Sequence, residues 1–309
     1  MSLTWTTYAA AEQNFWTGVA WSPSLGLFCA VSQDGTNRVM TSPDGQTWTS
    51  RSAAAALSWQ DVCWAAGLGL FVAVADGFDV DLVMTSSDGI TWTQQTAPSG
   101  AWYGVEWSPD LGLLATVGAD SNKIITSPDG VTWTVRTISS SPQLIGICWA
   151  SEAGLFVAVG ANGGTTKTVA TSSDGINWST YATPNSNSIW LGVAWSPELS
   201  LFAAVTTAVD TLMTSPDGAT WTLRTPASVY SWNDIEWSPA IGLFVAVNSL
   251  DGALMSSSDG ITWAFETVPE NNGWSRIAWS PELGIFCATA WADGTNSDRV
   301  MLSEPVASF

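Results

Sequence analysis

Asp234 and Glu236 are the residues of this sequence whose types and spacing best suit chemistry. They lie in the segment Trp232-Asn-Asp-Ile-Glu-Trp237, which has the length and flanking aromatics typical of a short β-strand. Because side chains alternate between the two faces of a strand, both carboxylates would lie on one face. A carboxylate pair is what glycoside hydrolysis uses, so glycosidase chemistry is one hypothesis.

Similar segments recur along the chain, and the carboxylates are exceptions within them. The seven copies end in tryptophan, at Trp21, Trp64, Trp107, Trp149, Trp195, Trp237 and Trp279. Most copies carry Gly, Ala or Cys at the third and fifth positions, but charged residues stand there at Asp61, Glu106, Asp234, Glu236 and Arg276. These five are the catalytic candidates if the protein is an enzyme. A water-filled polar channel is the alternative.

The composition excludes several classes of site. The 309 residues include no histidine, which removes imidazole catalysis, Ser/His/Asp and Cys/His nucleophiles and histidine metal sites. Only 8 Lys and Arg stand against 27 Asp and Glu, and the formal charge of −19 would repel nucleic acid. No apolar run is long enough to span a membrane, and residues 1–5 lack a secretory signal pattern. We therefore expect no cleavable signal peptide, no nucleic-acid partner and no membrane insertion. The localisation stays open: a cytosolic, virion-associated, otherwise exported or already trimmed protein fits, and we carry forward a virion-associated or extracellular one.

A repeated hairpin positions these strands. Arg38-Val-Met-Thr-Ser-Pro-Asp-Gly-Gln-Thr-Trp-Thr49 predicts a strand, a tight Asp-Gly turn and a second strand. Five more copies bring the turn aspartates to six, at Asp44, Asp88, Asp129, Asp174, Asp217 and Asp259. Each aspartate is suited to accepting turn N–H bonds, and the following tryptophan to burial, so we interpret these hairpins as structural.

Each repeat contains four strands: the Trp-rich strand, an apolar strand after a turn that is usually Ser-Pro, and the two strands of the hairpin. A period of about 42–46 residues predicts an all-β propeller with four antiparallel strands per blade. The last repeat lacks its fourth strand, which we expect residues 3–8 to supply. The predicted single domain, 1–309, has seven blades at about 14–52, 57–96, 100–138, 142–182, 188–226, 230–268 and 272–304 plus 3–8.

The four cysteines follow the repeat pattern. Cys29 and Cys287 stand where sister repeats have valine, and Cys63 and Cys148 stand where they have alanine. The sequence therefore predicts buried free thiols rather than disulfides.

The hairpin motif Ser42-x-Asp44-Gly45-x-Thr47-Trp48 resembles the Asp-box of BNR or sialidase-like β-propellers, although here glycine follows aspartate directly. The resemblance covers the chain through its repeats, and implies a propeller of the lectin-like or phage-tail type. A sialidase would also need several arginines at the substrate and a tyrosine nucleophile with its glutamate. Only Arg276 lies on an inner strand, and Tyr103 and Glu106 lie on opposite strand faces, so sialidase activity is not expected.

Tryptophans at the start of the inner strands are the candidate ligand-binding residues. They stand where variable loops gather on one rim, and recognition is usually built on such loops. An indole there could stack on a sugar, and six copies would give multivalency; packing between blades is the alternative. The candidates are Trp16, Trp59, Trp102, Trp190, Trp232, Trp274 and, unassigned to a repeat, Trp291.

Carboxylates in the same loops offer oxygen ligands for calcium, but no loop has a recognisable calcium signature. They are Asp34, Asp76, Asp79, Asp81, Asp120, Asp293 and Asp298. We expect solvated loop charge, no metal site and no cofactor.

The sequence thus predicts a non-enzymatic recognition module, with a glycan or another surface ligand as its partner. Carbohydrate binding in a phage tail or adhesin is the favoured form, by analogy with similar propellers. A glycoside hydrolase using the inner-strand carboxylates and a protein–protein interaction scaffold remain as alternatives.

Overall fold

The computed structural model describes residues 3–77, 81–119, 122–140, 142–161, 167–185, 187–208, 211–250, 252–291 and 298–305. Within these ranges every regular element is a β-strand, and the strands form seven antiparallel sheets of four. The innermost strands contact one another in ring order, from the first blade round to the seventh and back. The predicted seven-bladed β-propeller is therefore confirmed.

The strands are short, and their bounds follow the repeat. The first, β1 (Trp5–Tyr8), belongs to the seventh blade. Blade 1 is β2 (Trp16–Ser22), β3 (Leu27–Ser32), β4 (Val39–Ser42) and β5 (Thr49–Arg51). Blade 2 is β6 (Ser58–Ala65), β7 (Leu70–Asp76), β8 (Val83–Ser86) and β9 (Thr93–Gln95). Blade 3 is β10 (Trp102–Ser108), β11 (Leu113–Gly118), β12 (Lys123–Ser127) and β13 (Thr134–Thr137).

The remaining blades repeat the same order. Blade 4 is β14 (Gln143–Ala150), β15 (Leu155–Ala161), β16 (Lys167–Ser172) and β17 (Ser179–Ala182). Blade 5 is β18 (Trp190–Ser196), β19 (Leu201–Thr206), β20 (Leu212–Ser215) and β21 (Thr222–Arg224). Blade 6 is β22 (Trp232–Ser238), β23 (Leu243–Asn248), β24 (Leu254–Ser257) and β25 (Ala264–Glu266). Blade 7 is β26 (Trp274–Ser280), β27 (Ile285–Ala290), β28 (Val300–Ser303) and β1.

The ring closes through β1, as the missing fourth strand of the last repeat predicted. Strand β1 pairs antiparallel with β28, with Trp5 opposite Ser303. The Glu304 N–H extends this pairing by donating to the Thr4 carbonyl at 2.8 Å. The two ends of the chain are thus hydrogen-bonded within one sheet, and no blade is left incomplete.

The Asp-Gly turn is held by its own side chains. Asp44 Oδ1 accepts the N–H groups of Gln46 at 2.8 Å and Thr47 at 2.9 Å, and Ser42 Oγ accepts the Gly45 N–H at 2.8 Å. Gly45 has φ of 73°, a left-handed conformation that favours glycine. The Trp48 indole donates to the Gly45 carbonyl. The predicted aspartate–amide turn is confirmed, and the other five copies repeat these contacts.

An aromatic stack fills six of the seven blades, and Leu114 replaces the central phenylalanine in blade 3. In blade 1, Phe28 is fully buried, with Trp21 on one side at a ring distance of 4.6 Å and Trp48 on the other at 6.3 Å. Most other blades repeat this arrangement. The cysteines are buried free thiols, as predicted. Among the described residues no helix is long and apolar enough to cross a bilayer.

Candidate functional site

A cavity of about 480 Å³ lies on the propeller axis, lined by the inner strands. It extends from Ile145 and Leu191, near the start of these strands, to the tryptophans at their end and to Pro23 in the following turn. The turns after the inner strands and the Asp-Gly turns share one rim, which we call the hairpin rim. The opposite rim, which carries the variable loops, is the loop rim. The cavity therefore reaches the hairpin rim.

Small residues on the axis are a steric requirement. A Cβ atom added to Gly146 would lie 2.4 Å from the Leu191 carbonyl oxygen of the next blade, and one added to Gly104 would lie 2.5 Å from that of Ile145. Neighbouring inner strands approach too closely there for any side chain. A polar group that bonds the neighbouring strand favours a larger residue at this position.

Asp61 and Asp234 meet that condition. Each stands at a register shift in the pairing of its strand, and each accepts a backbone N–H from the next blade. Asp61 Oδ2 accepts from Val105 at 3.1 Å, and Asp234 Oδ2 accepts from Ile277 at 3.0 Å. The inner strand is the edge of its sheet, so its outward amides have no ladder partner. These two aspartates satisfy such amides and join adjacent blades.

Glu106 and Glu236 occupy the fifth position, one residue before the closing tryptophan. Glu106 Oε1 accepts the N–H of Trp107 at 2.9 Å. Both carboxylates line the cavity beside Cys63 and Cys148, and both are partly exposed to it. All five charged candidates thus line one cavity, because they stand at the third and fifth positions of the inner strands.

Burial shifts the titration of this cluster. It raises the pKa of Glu106 to about 8, opposed by the Trp107 amide, and raises the pKa of Glu236 to about 8, aided by the Asp234 charge. It also raises the pKa of Asp61 to about 6, opposed by the nearby Arg276 guanidinium. The pKa of Asp234 moves upward for the same reason and against the same opposing charge. At neutral pH the glutamates are largely protonated and Asp61 is largely ionised.

The six opening tryptophans are not where a ligand can reach them. Trp16, Trp59, Trp102, Trp190, Trp232 and Trp274 have an exposed fraction of 0%. Trp16, for example, belongs to a cluster with Cys287 and Val300 of blade 7, and its indole donates to the Glu12 carbonyl at 3.1 Å. The expectation that these six stack on a ligand is wrong, because both ring faces are covered between blades.

Trp291 is different. It is 41% exposed on the loop rim and stacks on Phe15, with ring centroids 6.1 Å apart. Its aromatic face is accessible, so it stays a candidate for ligand contact.

The tryptophans that close the inner strands lie around the hairpin-rim mouth of the cavity, and five of the seven line it. In the sequence they indicate only where each inner strand ends. Trp64, Trp149 and Trp195 are half-buried there, whereas Trp21, Trp107, Trp237 and Trp279 are buried. A pattern in the sequence accompanies these closing tryptophans. In four blades an acidic residue follows the tryptophan by three positions, at Asp110, Glu152, Glu198 and Glu282.

These acidic residues hold indoles of the next blade. Trp149 Nε1 donates to Asp110 at 2.8 Å, Trp195 Nε1 to Glu152 at 2.9 Å, and Trp237 Nε1 to Glu198 at 2.8 Å. Trp21 Nε1 donates to Glu282 at 2.5 Å. The equivalent position is Gly67 in blade 2 and Ala240 in blade 6, and the indole N–H groups facing them, on Trp107 and Trp279, are buried without a partner. The carboxylates therefore bond four of the seven closing indoles.

Two of the described loop carboxylates bond neighbouring segments. Asp34 Oδ1 accepts the Phe15 N–H at 2.7 Å, and Asp298 Oδ2 accepts the Thr7 hydroxyl at 3.4 Å. Asp79, Asp120 and Asp293 lie outside the described residues. In the described part of the chain no three acidic or cysteine side chains gather as a metal-binding group.

The chain matches no family model and no curated protein. Its fold is similar to that of solved structures. A streptogramin B lyase has a TM-score of 0.80 and 10% identity, with 98% of each chain covered. A catalytically inactive virginiamycin B lyase from Staphylococcus aureus, solved with quinupristin, has a TM-score of 0.82 and 9% identity over 98% of this chain and 100% of that one. YCF48 bound to a D1 peptide has a TM-score of 0.71 and 16% identity over 99% and 98%. At these identities the similarity establishes the propeller fold alone.

Proposed function

We propose that this protein is a non-enzymatic recognition module that binds carbohydrate at the hairpin-rim mouth of the axial cavity. The observation that carries the proposal is that three half-buried indoles, Trp64, Trp149 and Trp195, line the opening of a cavity of about 480 Å³, and that two of them have a carboxylate beside them. An indole face packs on the apolar face of a sugar, and a carboxylate accepts its hydroxyl groups. The cavity falls within the range of about 300–1,000 Å³ that small-ligand sites occupy.

The charge of the chain restricts the class of sugar. The formal charge of −19 repels acidic glycans, and Arg276 is the single basic residue among those that line the cavity. Neutral or basic sugars are therefore the expected ligands, and sialic acid is not.

The structural neighbours include two lyases and a peptide-binding protein, so the fold serves both catalysis and recognition. The inactive staphylococcal lyase carries alanine in place of a histidine, and this chain has no histidine. We therefore do not propose lyase activity. Peptide binding remains an outcome of the test below.

Glycoside hydrolysis is the second candidate, and the raised carboxyl pKa values favour it. Glu236, whose pKa is raised to about 8, and Asp234 lie on one strand face and would provide an acid and a base in the same cavity. Asp234, however, accepts the Ile277 N–H of the next blade, and Asp61 accepts the Val105 N–H in the same manner. These contacts account for both aspartates without a reaction, which favours binding over hydrolysis.

A glycan array, followed by calorimetry on the sugars retained, tests the proposal. We expect a neutral oligosaccharide to bind without cleavage and Trp149→Ala to weaken it at least tenfold, or about 1.4 kcal/mol, with the fold retained. Phe265→Ala, which removes an exposed aromatic ring from the outer strand β25, is the control and should leave affinity unchanged. Release of shortened sugars, lost in Glu236→Gln, would establish the hydrolase instead. Capture of a peptide with no sugar bound would establish the scaffold.

A further inference from the structure

The tryptophan ring at the hairpin rim is not uniform, and the difference singles out one arc. Trp149 and Trp195, on the adjacent blades 4 and 5, are the two indoles that are both half-exposed and bonded to a carboxylate. Trp64 is half-exposed, but the equivalent neighbour is Ser24. Trp237 is bonded to Glu198 but is only 5% exposed.

Resting on the proposed carbohydrate function, we propose that this arc is the sugar subsite and that Asp110 and Glu152 are its specificity-determining residues, each receiving two vicinal hydroxyl groups of a neutral sugar. The carboxylates of both residues belong to exposed turns on the hairpin rim. Both also accept an indole N–H from the next blade, so each lies in contact with the ring on which the sugar packs.

The capacity of a carboxylate supports this role. An ionised carboxylate offers about four acceptor positions on two oxygens, and the indole N–H bonds Asp110 at Oδ2 and Glu152 at Oε2. Two adjacent hydroxyl groups match the two oxygens of such a group in the manner of other bidentate contacts. The indole bond fixes the carboxylate at the edge of the ring, so the acceptor lies beside the stacking surface.

The ligand class follows from the same geometry. A sugar must present two neighbouring hydroxyl groups on the edge that faces the carboxylate, and an apolar face to the indole. A carboxylate or sulfate on that edge would meet like charge, whereas a hydroxyl donates. Neutral gluco-, manno- or galacto-oligosaccharides satisfy these conditions, and acidic ones do not.

The test measures affinity for neutral gluco-, manno- and galacto-oligosaccharides and their monodeoxy analogues by calorimetry. Asp110→Asn and Glu152→Gln should each weaken binding roughly tenfold, because a hydrogen bond to a charged group is lost. Removal of the bonded hydroxyl from the sugar should weaken binding to the native protein by a similar factor but leave binding to the variant unchanged. Such coupling is not produced by a residue that only supports the fold.

Two variants outside the arc are the controls. Glu198→Gln removes an equivalent carboxylate beside a buried indole, and Phe265→Ala removes an exposed aromatic ring from the outer strand β25; neither should change affinity. The proposed subsite is wrong if a sugar binds the native protein and either control variant weakens that binding as much as Glu152→Gln does. It is also wrong if Asp110→Asn and Glu152→Gln bind that sugar as the native protein does. If no neutral sugar binds the native protein, the proposed function itself fails.

Discussion

The two rims of the propeller both carry a ring of tryptophan, and the two rings are in opposite environments. At the loop rim the opening indoles are enclosed between blades, with no exposed surface. At the hairpin rim, five residues further along each strand, the closing indoles face the axial cavity and several are half-exposed. The same residue type therefore serves as core at one end of the strand and as a candidate binding surface at the other.

The difference arises from the neighbouring blade. An opening indole such as Trp59 shares its cluster with Val31 and Val39 of blade 1 and with residues of its own blade. A closing indole such as Trp149 meets the short turn of the preceding blade, where Asp110 accepts its N–H but covers little of the ring. The loop rim therefore buries all six opening indoles, whereas the hairpin rim leaves Trp64, Trp149 and Trp195 half-buried.

The largest predicted effect separates the two rings by stability. Trp102→Ala, at the loop rim, should lower the free energy of unfolding by about 3–5 kcal/mol, because it opens a cavity between blades. Trp149→Ala, at the hairpin rim, should lower the free energy of unfolding much less, by about 1 kcal/mol, because its indole is only partly buried. Urea denaturation of both variants measures this, and equal losses would show that the two rings have the same role.

A second prediction concerns the pH dependence of stability, which should differ between the axial cavity and the hairpin turns. The pKa of Glu106 and of Glu236 is about 8 in the folded protein, above the ordinary value of 4.5. Between pH 4.5 and about pH 8 the folded state binds more protons than the unfolded chain. The free energy of unfolding therefore falls as pH rises toward 8. The groups that face this pair are Asp61, Asp234 and Arg276, with the thiols of Cys63 and Cys148.

Glu106→Gln should therefore reduce the fall in Tm between pH 5 and pH 9, because the neutral amide has no proton to lose. Glu304→Gln, an exposed carboxylate after β28, is the control and should leave the fall unchanged. Scanning calorimetry at both pH values provides the measurement. An identical fall in Glu106→Gln and native protein would mean that this glutamate is already ionised when folded.

The hairpin turns have the opposite pH dependence. The amides of Thr132 and Val131 lower the pKa of Asp129 to about 2, below its ordinary value of 3.8. Its stabilising contribution is thus present above about pH 4 and is lost as pH falls toward 2. Asp129→Ala should cost about 1 kcal/mol at pH 7, as loss of a similar capping side chain does. At pH 2 the difference from native protein should shrink, and a constant difference would argue against the amide contacts.

The repeat made the fold predictable from sequence, whereas the site depends on contacts between blades. The hairpin turn is local, since Asp44 bonds amides two and three residues away, and the position of Trp5 before the first complete repeat predicted the closure. The hydrogen bond from Trp149 to Asp110 joins residues 39 apart in sequence, and it forms only because blade 3 packs on blade 4. Period and spacing place an indole on a rim, but the adjacent blade decides whether it is covered.

The smallest predicted effect is a gain in stability at one gap in the closing ring. The buried indole N–H of Trp279 has no partner, and the residue at the position that holds an acid in other blades is the exposed Ala240. Glu198, at the equivalent position of blade 5, accepts the Trp237 N–H at 2.8 Å. Ala240→Glu should therefore supply the missing acceptor and stabilise the fold by about 1 kcal/mol, the usual net contribution of a hydrogen bond.

The double variant Ala240→Glu, Trp279→Phe distinguishes this bond from a general effect of the new side chain. Phenylalanine has no N–H, so the gain from glutamate should disappear in the Trp279→Phe background. Urea denaturation of the four proteins gives the coupling energy directly. A gain that persists beside phenylalanine would come from the turn itself, and the Trp–carboxylate bonds of the hairpin rim would then orient indoles without stabilising the ring.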